Sequence, residues 1–228
     1  MADDTRDTTA PGHGNGRGLP ATSWAVLGLL SFGEELSGYD LKKWSDRSLR
    51  FFYWSPSFSQ IYGELKRLEK AGYATSRMVA QETGTRDKRV YRITDAGLAA
   101  VRDWARETRV DAPVLKHGPM LRLWLGHLLE PEQIHEVLRQ HGEFAESMRL
   151  RAADDAQHVE QMADATADDP DEGGGGVPGE GGAAGAYPAL TLRWAERYYA
   201  SERDLALAML SDIERLGTEP GGGAGRLP

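Results

Sequence analysis

The chain reads as mainly α-helical with one small β-hairpin: a winged helix-turn-helix domain followed by a helical C-terminal domain. Three observations carry that reading. Between Ser57 and Thr94 come, in order, a short amphipathic helix, a glycine, a strand-like segment, a charged turn and a second strand-like segment. Two further short helical segments precede this run and one follows it. From Gly118 onward the apolar spacing is helical throughout, apart from one long Gly-rich acidic stretch.

Each element has a local reason. Residues 1–20 lack periodicity and are rich in Gly, Thr, Asp and Pro, the composition of a disordered tail. TSWAVLGLLSF offers Thr22 or Ser23 as a cap for a first buried helix ending near Gly33, and GEELSG reads as the turn after it. The second helix is expected from Gly38 to about Phe51, with Tyr39, Leu41, Trp44, Leu49 and Phe52 apolar and Lys42, Lys43, Arg47 and Arg50 outward. Ser55 or Ser57 caps the third helix, whose Phe58, Ile61, Leu65 and Leu68 share one face. It ends at Ala71-Gly72, where glycine can take the left-handed conformation of a helix terminus. YATSRMVA and KRVYRIT then flank QETGTRD as a hairpin wing, and Thr94 or Asp95 caps a fourth helix running to about Arg109. This winged domain spans residues 21–110. A helical domain is expected over 116–216, with a disordered Gly-rich loop at about 167–186, a last helix from about Pro188 to Leu216 and a tail at 217–228.

Composition excludes several function classes. The chain has 228 residues, 40% of them apolar, enough for one or two packed domains. It contains no run of the roughly 20 apolar residues that a membrane span needs, and its N-terminus lacks the apolar centre of a signal peptide, so a cytoplasmic location is expected. The absence of cysteine removes disulfides, thiol nucleophiles and cysteine-based metal centres. The formal charge of −8 is polarised: residues 22–109 hold 15 Lys and Arg against 11 Asp and Glu, whereas residues 110–228 hold 10 against 21. Affinity for nucleic acid follows local charge, so the basic half fits phosphate despite the acidic whole.

The candidate contacts follow from the helical wheel. At about 100° per residue, Ser59, Gly63, Lys66, Arg67 and Lys70 fall opposite the apolar stripe of the third helix. Ser57, Ser59, Gln60 and Tyr62 at its N-terminal half are candidates for base edges or neighbouring phosphates, Tyr62 also fitting the edge of the core. Lys66 and Arg67 suit phosphate, and Gly63 lets the backbone come close. In the wing, Arg86, Lys88 and Arg89 are candidates for the minor groove or its phosphates. Trp124, Trp194, Tyr198 and Tyr199 either line an effector pocket or fill a dimer core. His127, His135 and His141 lack the spacing of three or four that puts two ligands on one helix face, so no metal site is expected. GGGGVPGEGG has no strand before it and no Lys-Ser/Thr after it, so it is not a phosphate loop. No cofactor and no catalytic constellation are read from the chain.

VLGLLSFGEELSGYDLKK, SFSQIYGELKRLEKAGYA and KRVYRITDAGLAAVRDW together resemble the N-terminal domain of the PadR family of transcriptional regulators. A GYEL-like second helix corresponds to Gly38 to Leu41, a Y-x-x-L-x-x-L-E-x-x-G pattern to Tyr62 to Gly72, and a Y-x-I-T-x-x-G return to Tyr91 to Gly97. The region from about Gly118 to Leu216 resembles the family's longer C-terminal domain. The resemblance implies a homodimer whose C-terminal helices pack across a two-fold axis, double-stranded DNA as partner, repression through an inverted-repeat operator, and in some members release by a small-molecule effector. The Gly-rich stretch is longer than the family's pattern and leaves the placement of the last two helices open. A protein-interaction module, in which the acidic helical half recruits a protein partner, is the competing reading.

Overall fold

The computed structural model describes residues 19–32, 35–80, 87–110, 112–168 and 183–218. They form two compact units, 19–42 with 56–110 and 43–55 with 112–218. Both tails, most of the Gly-rich stretch and the tip of the wing with Arg86 lie outside the described residues.

The first unit is built around α1 (Ala21–Leu30), which is apolar on nearly every side and buries Trp24, Val26, Leu27, Leu29 and Leu30. A helix with no polar face belongs in the middle of a core, and α1 packs against α3 (Phe58–Lys70), α4 (Asp95–Glu107) and the strand β3 (Lys88–Ile93). Trp24 stacks on Trp104 of α4 at 5.5 Å between ring centroids. The cap of α1 is Pro20 rather than Thr22 or Ser23. Those two hydroxyls donate instead to the Glu64 carboxylate of α3, Thr22 at 2.9 Å, so the residues that look like a cap tie two helices together.

The segment expected as a plain turn contains a strand, β1 (Leu36–Ser37), paired antiparallel to β3 with Leu36 opposite Tyr91. β3 also pairs with β2 (Ala74–Val79), giving a three-stranded sheet in the order β1-β3-β2 where only the hairpin was expected. Two residues are too short to show alternation, so nothing local marks β1. α2 (Gly38–Arg47) stops four residues before the expected end, and Leu49–Phe51 form a separate 3-10 turn. α3 begins with a capping box: the Ser57 hydroxyl accepts from the Gln60 amide and the Gln60 side chain accepts from the Ser57 amide at 2.8 Å. Ile61, Leu65 and Leu68 are fully buried, but Phe58 is 46% exposed and stacks on the still more accessible Tyr39. Sharing a wheel position does not bury a residue in the first turn, where the core has ended. Gly72 closes α3 at φ +75°, the left-handed conformation that glycine adopts without a Cβ penalty.

The second unit is a long antiparallel pair, α6 (Pro131–Asp168) and α7 (Ala183–Thr218), preceded by the short α5 (Gly118–Trp124) and a 3-10 turn at Gly126–Leu128. α7 begins five residues before Pro188, which lies inside it, and α6 runs past the expected edge of the loop. The contact face of α6 is a run of small residues at heptad-like steps, Ala145, Met148, Ala152, Ala156 and Val159, all buried. Facing them are Ala189, Leu192 and Ala195, together with Phe51 and the partly buried Tyr199. Ion pairs set the register: Arg193 to Glu160 at 2.6 Å and Arg203 to Glu146 at 2.8 Å, one number rising as the other falls. Arg149 and Arg203 together hold the Glu146 carboxyl down to about 2. α5 buries none of its residues within the chain, and Phe144 of α6 is 55% exposed.

Candidate nucleic-acid interface and ligand cleft

α3 presents an open face. Ser57, Ser59, Gln60, Tyr62, Gly63, Lys66 and Arg67 are all exposed. The geometry divides them into residues already engaged and residues still available. Ser57 and Gln60 hold the capping box, and the Ser59 hydroxyl lies 2.9 Å from that of Ser57. The ring of Tyr62 lies over Gly38, where an added Cβ would stand 2.6 Å from it, so a close approach requires the glycine at the head of α2. Around Gly63 a Cβ would meet nothing within 4 Å.

The cations differ in the same way. Arg67 donates to Glu64 at 2.7 Å, the carboxylate that also takes Thr22 and Ser23. Lys88 pairs with Asp40 at 3.0 Å. Burial alone would raise the Asp40 carboxyl, but hydrogen bonds from Ser37 and Lys88 outweigh it and hold it below the usual carboxylate range. Arg89 donates to Ser76 at 2.9 Å and sits over the Tyr91 ring. Lys66 and Lys70 have no ion-pair partner among the described residues, in contrast to Arg67, Lys88 and Arg89. Asp40 and Glu69 carried no signal in the sequence, because Lys88 and Arg89 lie on another element, whereas Glu64 stands three residues before Arg67 on the same helix.

The four aromatic candidates of the helical half part company. Tyr198 and Tyr199 line a cleft of about 570 Å³ between α5, α6 and α7, with His117, Arg122, His141 and Phe144. Burial pushes both tyrosine hydroxyls above their ordinary value. Trp194 stacks on Tyr198 at 5.3 Å but does not line the cleft. Trp124 is 77% exposed, with Leu121 and Leu128 exposed beside it in sequence. Sequence reasoning missed His117 and Glu202, which reach the cleft from segments far from His141.

Among the described residues no helix is long and apolar enough to cross a membrane. Residues 26–103 match the model of the transcriptional regulator PadR-like family. The negative transcriptional regulator PadR of Bacillus subtilis is 34% identical over 116 residues, which cover 51% of this chain and 62% of that protein. The chain thus spans less than two thirds of that relative's length. The crystal structure of Bacillus subtilis PadR in complex with operator DNA has a TM-score of 0.64 at 26% identity, covering 86% of this chain and 99% of that one. The same protein in complex with p-coumaric acid has a TM-score of 0.51 at 24% identity over 84% of this chain and 98% of that one, a likeness of fold. The matched residues 26–103 fall on the winged unit that holds α1, the capped α3 and the β1-β3-β2 sheet, and this unit is similar to that of the PadR-like transcriptional regulators.

Proposed function

We propose that this protein is a homodimeric transcriptional repressor that lays α3 of each protomer in the major groove of an inverted-repeat operator. The observation that carries the reading is the open face of α3, small at Gly63 and Ser59 and cationic at Lys66. Half-sites should lie about one helical turn, roughly 10 to 11 base pairs, apart. Ser57, Ser59, Gln60 and Tyr62 take base edges and neighbouring phosphates, Lys66 and Arg67 take phosphate, and Arg86, Lys88 and Arg89 serve the wing. Arg67 and Lys88 must trade or share their acid partners to do so. Lys66 need not, so it should contribute most per charge.

The test is binding to the chain's own upstream DNA across a salt series. Affinity should fall steeply with salt, and Lys66→Ala should weaken all sequences alike and lower the salt slope by about one. Ser59→Ala should instead change base preference. Equal loss on every sequence from both variants would refute the division of labour, and no binding at low salt to any nearby promoter would refute the reading.

Dimerisation is supported by the exposed apolar residues of the helical half, Leu121, Trp124, Leu128, Leu205 and Leu207 among them. A two-fold contact can cover such a surface with its own copy. Trp124→Asp is expected to shift the protein from dimer to monomer in light scattering while helix content stays unchanged; a persisting dimer would remove α5 from the interface. The cleft bearing Tyr198 and Tyr199 is the place at which a small-molecule effector would act to release the operator, as a Bacillus subtilis relative solved with p-coumaric acid suggests by analogy.

A further inference from the structure

His117 at the start of α5, His141 on α6 and Glu202 on α7 converge from three segments. His117 Nε2 lies 2.8 Å and His141 Nε2 3.0 Å from the same Glu202 oxygen, Oε2. The imidazoles meet edge to face at 4.6 Å between centroids, and one ligand atom from each of the three residues lies within 4.8 Å of the others. We infer that these three side chains form a binding site for one divalent transition cation of the Zn²⁺ class.

Two imidazole nitrogens and one carboxylate oxygen are the donor set of a three-ligand zinc centre with a fourth position open. Ligands about 2.0 to 2.1 Å from a tetrahedral ion stand about 3.3 to 3.4 Å from one another. The two nitrogens therefore need to draw back from Glu202 by about half an ångström, and from within 4.8 Å of each other they need to close by at most about 1.4 Å to reach that spacing, within the freedom of side-chain torsions. All three side chains are 10–14% exposed, sheltered from bulk water yet opening on the cleft they line, which supplies the entry path and room for a fourth ligand. Tyr198 hydrogen-bonds the Glu202 carboxylate and so provides the outer contact that ligating carboxylates take.

Capture of the ion has one local consequence. His117 Nδ1 accepts the Met120 amide at 3.2 Å and caps α5. A cation on Nε2 places the imidazole proton on Nδ1, so the Met120 amide must give up this acceptor.

The inference stands apart from DNA binding and is read without DNA. Chelator-treated full-length protein is titrated with Co²⁺ and then Zn²⁺, followed by visible absorption, calorimetry and the Met120 amide resonance. One Co²⁺ per chain with the strong ligand-field bands of a four-coordinate site, displacement by Zn²⁺ and a shifted Met120 amide are expected. His141→Ala and Glu202→Gln should each weaken Co²⁺ by at least about tenfold, since even outer-contact losses cost that much, and His135→Ala should change nothing. If either variant fails to fold by circular dichroism, the wild-type spectrum and the Met120 amide decide. Faint octahedral absorption only, binding that survives in folded His141→Ala, or no binding up to about 1 mM would overturn the site.

Discussion

Gly97→Ala is expected to destabilise the winged unit by about 2 kcal/mol, the reverse of what a glycine-to-alanine change usually does inside a helix. Alanine is worth up to about 1 kcal/mol over glycine there. Gly97 lies in the first turn of α4, however, and a Cβ on it would stand 2.2 Å from the Tyr73 carbonyl oxygen and 2.9 Å from Ile93 Cγ1. The nearer obstacle is backbone, which cannot swing aside as a side chain can. That carbonyl also accepts the Thr94 amide at 3.0 Å, while Thr94 caps α4 through the Gly97 amide. Relieving the clash therefore disturbs the closure of α3 and β2 against α4. Overpacking of this kind costs about 1 to 3 kcal/mol, occasionally more, and here it outweighs the helix gain. Urea unfolding of the wild type and the variant decides it: an unchanged or raised midpoint would show that the segment yields freely.

Gly63→Leu should do the opposite. No atom lies within 4 Å of a Cβ at Gly63, and this position faces outward on α3. Leucine in a helix interior is favoured over glycine by somewhat under 1 kcal/mol, so the variant should unfold at slightly higher denaturant. If α3 enters a major groove, the new side chain fills the space into which the DNA comes. Operator affinity should then fall at least about 100-fold, towards the level of non-specific binding. Anisotropy on a labelled operator and denaturation of the same sample measure both effects. A stable variant that keeps full affinity would remove Gly63 from the contact face and with it the proposed orientation of α3.

Comparing the two glycines shows how much was legible beforehand. Both sit in helices; the wheel places Gly63 outward, but nothing local tells what a side chain at Gly97 would meet. Only the folded chain brings Tyr73 against one and leaves the other open. The same holds for the cations: Lys88 and Lys66 are alike as residue types, but Asp40 neutralises the first from 48 residues away. Thr22 and Ser23, good caps by composition, are acceptor-seeking partners of Glu64 once α1 is packed against α3.

The sequence by itself determined the order of the four helices and the hairpin in the winged unit, the buried stripe of Ile61, Leu65 and Leu68, the capped start and glycine end of α3, and the resemblance of this unit to the PadR-like family. These depend on spacing and on residue conformation, which are local. The third strand, the exposure of Phe58, the alanine seam of α6 on α7 and the meeting of His117, His141 and Glu202 were decided by tertiary structure alone. Each arises from contacts between segments tens of residues apart, and no periodicity within one segment encodes which residue of another it will touch.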